Sequence, residues 1–224
     1  KVLAKEYGIE LRYTSATDYL RFGGQYWIES KQQAVGAMEE FLDLQLEDAK
    51  DELQASMKAL SDSGVKESDI RSGGKTLEKQ VGADSMGAYL AYLSAKAYHA
   101  FVMKRRDMKY VVSALQAAKP MLEVSPADLD KDAYSLNCPD GTYDLRKGLA
   151  GRRDHDPGDL ITKITAFAPG DEGKQSWLDC INMIFRIDGA LIDYVQQIAG
   201  ISAIGMVNLE ALIISYGEGS NGKS

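Results

Sequence analysis

Cysteine is scarce in this chain: Cys138 and Cys180 are the only two among 224 residues. They stand far apart, and neither has a Cys or His nearby at metal-ligand spacing. That argues against a disulfide framework and a zinc site. Reduced cysteines in an intracellular, cytoplasmic protein are the expectation. Long apolar runs are missing too. Nowhere do roughly 18 apolar residues follow one another, so no membrane span is expected. The opening KVLAKEYGIELRY lacks the continuous apolar core of a signal peptide. It begins at Lys1 rather than Met, and the chain is expected to be a piece of a longer protein. Positive charge is in deficit: 26 Lys and Arg face 33 Asp and Glu, a net charge of −7. An autonomous nucleic-acid binder held by phosphate neutralisation needs the opposite balance. A local basic groove remains compatible with it. Finally, no Ser-His-Asp set, Cys-His set or carboxylate cage is recognisable. Asp154-His155-Asp156 suggests acid–base chemistry, but adjacent loop residues rarely converge on one site, and His155 is read as fixing a turn.

What is present is an ordinary globular composition, 45% apolar and 26% charged, long enough to bury a sizeable core. TDYLRFGGQYWIE, residues 17–29, predicts a β-hairpin in which Tyr19–Phe22 and Gln25–Ile28 flank Gly23-Gly24. Its aromatics read as packing residues. Ser30 is placed to cap a helix over 31–60, where Val35, Met38, Phe41, Leu42, Leu53, Met57 and Leu60 recur at spacings of three and four. Residues 61–76, SDSGVKESDIRSGGKT, read as a polar link. Residues 76–82 begin a further helical turn. A second long helix is predicted over 84–106, with His99 as a structural residue. A short helix over 109–118 ends before Pro120. Ser125–Asp130 reads as a loop and turn. Three β-like segments follow, Tyr134–Asn137, Gly141–Leu145 and Leu160–Ile164, with Pro139-Asp140-Gly141 turning between the first two. Two helices are predicted over 176–188 and 189–200, then a strand over Ala211–Ile214.

That last apolar run leads into Gly217-Glu218-Gly219-Ser220-Asn221-Gly222-Lys223-Ser224, which is G-x-x-x-x-G-K-S, a Walker A phosphate loop. The glycines let backbone N–H groups turn toward phosphates. Lys223 stands where a lysine reaches the outer phosphates, and Ser224 where a hydroxyl binds Mg²⁺. Chance produces such a match in roughly one chain in a hundred of this length. The helix that fixes such a loop does not follow here, so weak or no ATP binding and no hydrolysis are expected of this chain. The densest basic cluster is Lys104-Arg105-Arg106 with Lys109, readable as the cationic end of a helix or as a DNA contact. Arg152 and Arg153 form a second cationic pair in a loop flanked by glycine.

Several stretches carry a family resemblance. SLNCPDGTYDLRKG, residues 135–148, resembles the L-N-x-x-N-G-x-x-D-L-R-T-G signature of phage and plasmid primase-helicases, relatives of the poxvirus primase-helicase. RDHDPGDLITKI, residues 153–164, is similar to their H-x-P-x-D-x-x-T stretch. SWLDCINMIF resembles their W-x-x-F-L helix, and LIDYVQQIAGISAIGMVNLEALIISYGEGSNGKS resembles their approach to a G-x-G-x-N-G-K-S loop. The GGQYW hairpin also resembles the opening of that region. Asp140 replaces the usual Asn, Lys147 a Thr, Ile201 a Tyr, and Ile204 stands where Thr is usual. The likeness runs from about residue 11 to the end, loosest over 31–125.

The resemblance implies a domain between a primase and a superfamily 3 helicase motor, an AAA+-like ATPase. It implies ATP and Mg²⁺ as cofactors of the intact protein, with none bound to this piece. It also implies DNA as partner and a homo-oligomeric ring, usually a hexamer. The chain is then a linker or collar and an oligomerisation domain. The fold expected is α+β, mainly helical with a small β element. Its parts are a hairpin region over 1–30, a helical region over 31–125, a mixed region over 126–210, and a motor's first strand and loop over 211–224. Two alternatives stand beside it: another phosphate-loop NTPase or kinase with an N-terminal extension, and a non-enzymatic interaction module. DNA-stimulated ATPase separates the first reading from both.

Overall fold

The computed structural model describes residues 2–207, 210–214 and 216. Its elements run α1 (Val2–Glu6), β1 (Leu11–Thr14), β2 (Asp18–Phe22), β3 (Trp27–Glu29), α2 (Lys31–Asp62), α3 (Glu67–Ser72) and α4 (Gly74–Glu78). Then come α5 (Met86–Arg105), α6 (Met108–Leu122), β4 (Ser135–Cys138), β5 (Gly141–Asp144), β6 (Arg152–Arg153), α7 (Lys174–Ile184) and α8 (Gly189–Ser202). The fold is mainly helical with two small sheets, ordered β1-β2-β3 and β4-β5-β6. The chain divides into two compact units. One comprises Lys1–Arg21 and Ser30–Val124, the other Phe22–Glu29 and Ser125–Ser224.

The first unit is built on α2. Ser30 Oγ accepts from the Gln33 amide at 3.2 Å, satisfying one orphan N–H of the first turn. The helix buries Ala34, Met38 and Leu42 near its start and Leu60 near its end. The first set packs with Leu11, Tyr19, Val111, Leu115 and Leu122. Antiparallel β1 and β2 pair Tyr13 with Tyr19. The Tyr19 hydroxyl donates to the Leu115 carbonyl at 2.6 Å, and burial pushes that phenol's pKa up. Lys119 lies 4.3 Å from the Tyr13 ring centroid. It reaches Asp18 at 2.9 Å, holding the tight β1–β2 turn in which Asp18 takes a positive φ of 77°.

The sequence reading is corrected at several points. The polar link over 61–76 contains α3 and the start of α4, whose remainder falls in the helical turn expected over 76–82; Val65, Ile70 and Leu77 drop into a second core with Leu60 and Tyr92. Helix α6 does not stop before Pro120 but runs through it to Leu122. The lost N–H falls close to the helix end, where burial of Ala118 and Leu122 outweighs it. Helix α1 and strand β1 were not foreseen. The third strand of the second sheet is β6, paired to β5 through Thr142–Arg153 and Tyr143–Arg152, not the expected Leu160–Ile164. Ala211–Ile214 is exposed and belongs to no strand. An extended segment becomes a strand only beside a partner edge, and none pairs with it among the described residues. Cys138 is buried, Cys180 exposed, and both are free. Among the described residues no helix is long and apolar enough to cross a membrane.

Leu77, 1% exposed, anchors the α4 turn. Leu77→Ala is expected to cost about 3 kcal/mol by cavity formation, read as a lower midpoint in urea unfolding followed by far-UV circular dichroism.

Candidate functional site

In the second unit the motif stretches meet around one side-chain amide. Asn137 lies on β4, whose hairpin partner β5 follows a two-residue turn at Pro139-Asp140. Cys138 faces Gly141 across that turn. Gly141 has φ of 150°, and a Cβ there would stand 2.5 Å from the Arg153 carbonyl oxygen. Only glycine lets β5 and β6 approach at this point.

Asn137 Nδ2 donates to the Gln25 carbonyl at 3.0 Å and to the Lys163 carbonyl at 3.1 Å. Its Oδ1 accepts from Thr142 Oγ1 at 2.9 Å and lies 3.0 Å from His155 Nδ1. The two carbonyls fix which end of the amide is nitrogen. An amide oxygen only accepts, so His155 Nδ1 carries the proton. His155 Nε2 is buried without a hydrogen-bond partner. The Asn137 backbone carbonyl accepts from Thr165 at 2.9 Å. Five segments are thereby tied at one residue.

Trp27 closes the arrangement. Its indole is 1% exposed. Nε1 donates to the Pro157 carbonyl at 2.9 Å, and its backbone N–H donates to Ile161 at 2.8 Å. The GGQYW and HDPGD stretches are thus two sides of one contact. Asp130 receives the Thr162 amide at 2.8 Å and its hydroxyl at 2.5 Å. Arg146 binds Asp132 at 2.6 Å and Asp144 at 3.2 Å, with its guanidinium 4.4 Å from the Tyr134 ring centroid. The hydrogen bond from Arg146 holds the Asp132 carboxyl at about 2 against a usual 3.8. Asp140 accepts from the Tyr143 hydroxyl at 2.6 Å and pairs with Arg152 at 3.3 Å. These bonds, that from Tyr143 first, lower its pKa. Asp156 caps Gly158 at 2.7 Å.

This chemistry is cross-linking. An open cleft of about 320 Å³ runs past Asp130, Asp132, Asn137 and Lys163, but both carboxylates in it are already engaged by Thr162 and Arg146. Among the described residues no group of His, Cys, Asp and Glu is placed to hold a metal.

The cations named from the sequence separate into two kinds. Arg106 is bound to Asp43, Arg152 to Asp140, and Arg153 to Asp159 at 2.5 Å. The bond to Asp159 raises the Arg153 pKa. Arg152 and Arg153 stand on β6 rather than in a loop. At the junction of α5 and α6, the Arg105 guanidinium lies 4.6 Å from both the Phe101 and Tyr110 ring centroids. Lys109 lies 4.9 Å from Tyr110. Lys104 and Lys109 are exposed. The phosphate loop, Gly217 through Ser224, lies outside the described residues.

The hub residue Asn137, the Asp130–Thr162 pair and Asp132 were not singled out by spacing or composition. Asn137, Thr142, Thr162 and His155 do fall inside the motif stretches, which was the one available signal. A family model described as D5 N terminal like matches residues 1–186. No curated protein and no solved structure gives a match.

Asn137→Ala leaves two part-buried carbonyls, a buried hydroxyl and an imidazole N–H without their partner. It is expected to cost about 3 kcal/mol. Both tryptophans, Trp27 and Trp177, lie in this unit, so the loss reads directly in the urea midpoint of tryptophan fluorescence. Asp132 supplies a second test. Its folded pKa is depressed, so its contribution is full above the usual 3.8 and lost as pH falls toward about 2. Arg146→Ala is expected to move the acid-unfolding midpoint upward within that window, measured by the same fluorescence.

Proposed function

The chain belongs to the D5 N terminal like family, the N-terminal domain of D5-like primase-helicases, and from that membership we propose that it is the module preceding an ATP-driven DNA helicase motor. The observation that carries the reading is order along the chain. The family domain over residues 1–186 is followed by the G-E-G-S-N-G-K-S loop at 217–224. In this reading the module serves as linker and collar. It sets the spacing of subunits in a homo-oligomeric ring, a hexamer, and passes DNA toward the motor. The cross-linked unit around Asn137 suits that position, because a collar must transmit force without yielding. Lys223 reaches the outer phosphates of ATP, and Ser224 ligates Mg²⁺, in the intact cytoplasmic protein. In this reading the chain by itself binds ATP at millimolar strength or weaker and does not turn it over; among the described residues no group of His, Cys, Asp and Glu is placed to hold a metal.

The test is ATP hydrolysis by a chain extended through the motor, with and without single-stranded DNA, beside its Lys223→Ala form. Turnover raised by DNA and reduced at least about a hundredfold by Lys223→Ala is expected, since the lysine acts on the transferring phosphoryl group. Turnover indifferent to DNA would move the protein to another class of phosphate-loop enzyme.

A further inference from the structure

We propose that the α5–α6 corner is a contact surface for single-stranded DNA, with the ring-stacked Arg105 guanidinium gripping a backbone phosphate. The choice of DNA as the polyanion rests on the primase-helicase reading; the anion chemistry of the corner stands on its own geometry. An arginine on an acidic protein normally finds a carboxylate, as Arg21, Arg106, Arg146, Arg152 and Arg153 all do. Arg105 does not. No hydrogen bond or ion pair to it occurs among the described residues, yet it is ordered by rings on two sides, Phe101 and Tyr110.

Stacking holds the planar fork in place and leaves its donor edge unspent. That is the state in which a guanidinium binds a phosphate at least entropic cost. Lys104 and Lys109 flank it, exposed and without ion pairs among the described residues. The acid at the corner, Asp107, is outnumbered, and Asp43 is neutralised by Arg106. The rest of the chain is acidic, so the corner is a local exception in a surface that otherwise repels a polyanion.

The neighbouring surface favours a single strand over a duplex. Phe101 is 51% exposed, Met103 48% and Met108 54%. Apolar and aromatic surface beside a cationic track accepts unstacked bases, whose faces a duplex conceals.

The experiment is fluorescence anisotropy of a labelled thymidine oligonucleotide with the whole chain, titrated from low to moderate salt. Binding that weakens with salt is expected. Arg105→Ala should weaken it about tenfold, the loss of a charge-assisted hydrogen bond. Arg105→Lys should fall between the two, since it keeps the charge and loses the fork. Lys104→Ala and Lys109→Ala should each flatten the log–log salt slope by about 0.7. Arg152→Ala, whose guanidinium is spent on Asp140, should bind as the parent does. Far-UV circular dichroism confirms that the exposed substitutions leave the helices intact. Absence of binding at low salt, or Arg105→Ala binding like the parent, overturns the proposal. Its failure is separable from that of the functional reading. Unaltered binding by the corner variants, with DNA-stimulated ATPase in the extended chain, would remove the corner alone.

Discussion

The second unit depends on the amide of Asn137 being satisfied on all sides at once. Its nitrogen gives two protons to two backbone carbonyls, and its oxygen takes two more from Thr142 and His155. No other side chain of that size offers two donors and a two-fold acceptor without charge. Aspartate would bring acceptors to the Gln25 and Lys163 carbonyls. Leucine would leave every partner stranded. A small sheet of short strands has little apolar area to hold it together, so cross-strand polar bonds carry more of the specificity here than in a large core.

The two units solve the same problem by different means. The first relies on apolar packing along α2, with Ala34, Ala37 and Ala49 completely buried. The second relies on turn chemistry: Asp144 caps Arg146, Asp156 caps Gly158, and Asp130 binds both polar groups of Thr162. Arg146, Arg152 and Arg153 each find an acid on a nearby stretch of chain, so part of the negative charge that depresses the isoelectric point is structural. Such exposed pairs contribute little individually. Their value is geometric, since they orient loops that have few apolar anchors.

Legibility in the sequence followed the strength of the periodic signal. Helices α2 and α5 were readable because each repeats its apolar spacing over many turns. The β4–β5 hairpin was readable because Pro139-Asp140-Gly141 is turn chemistry with a mechanism. Helix α3 was hidden, since Ile70 is a single anchor in polar surroundings, and α4 was read only as a turn starting two residues late. Strand β6 was hidden more completely: two arginines carry no strand signal, and the apolar Leu160–Ile164 competed for its place. The candidate site divided along the same line. A G-x-x-x-x-G-K-S motif is visible in a sequence because its residues are contiguous. The meeting of Gln25, Asn137, His155 and Lys163 is not, because it comes from chain segments that only folding brings together. Pairing of Arg106, Arg152 and Arg153 with distant acids was equally invisible, while the stacking of Arg105 on Phe101 follows from their i, i+4 spacing on one helix.

Helix α2 joins two cores that share no residue. Leu42 belongs to the cluster near its start and Leu60 to the cluster near its end. Its 32 residues give an axis of about 48 Å at 1.5 Å per residue. Two separately seated ends on one stiff rod behave as a strut. A push on the α3–α4 end cannot be absorbed locally by bending, since sharp helix bends need a proline, a glycine pair or a bulge, and α2 has only Gly36 near its start. Displacement at one end is therefore passed along the helix axis to the core around Leu42 and Tyr19 at the other.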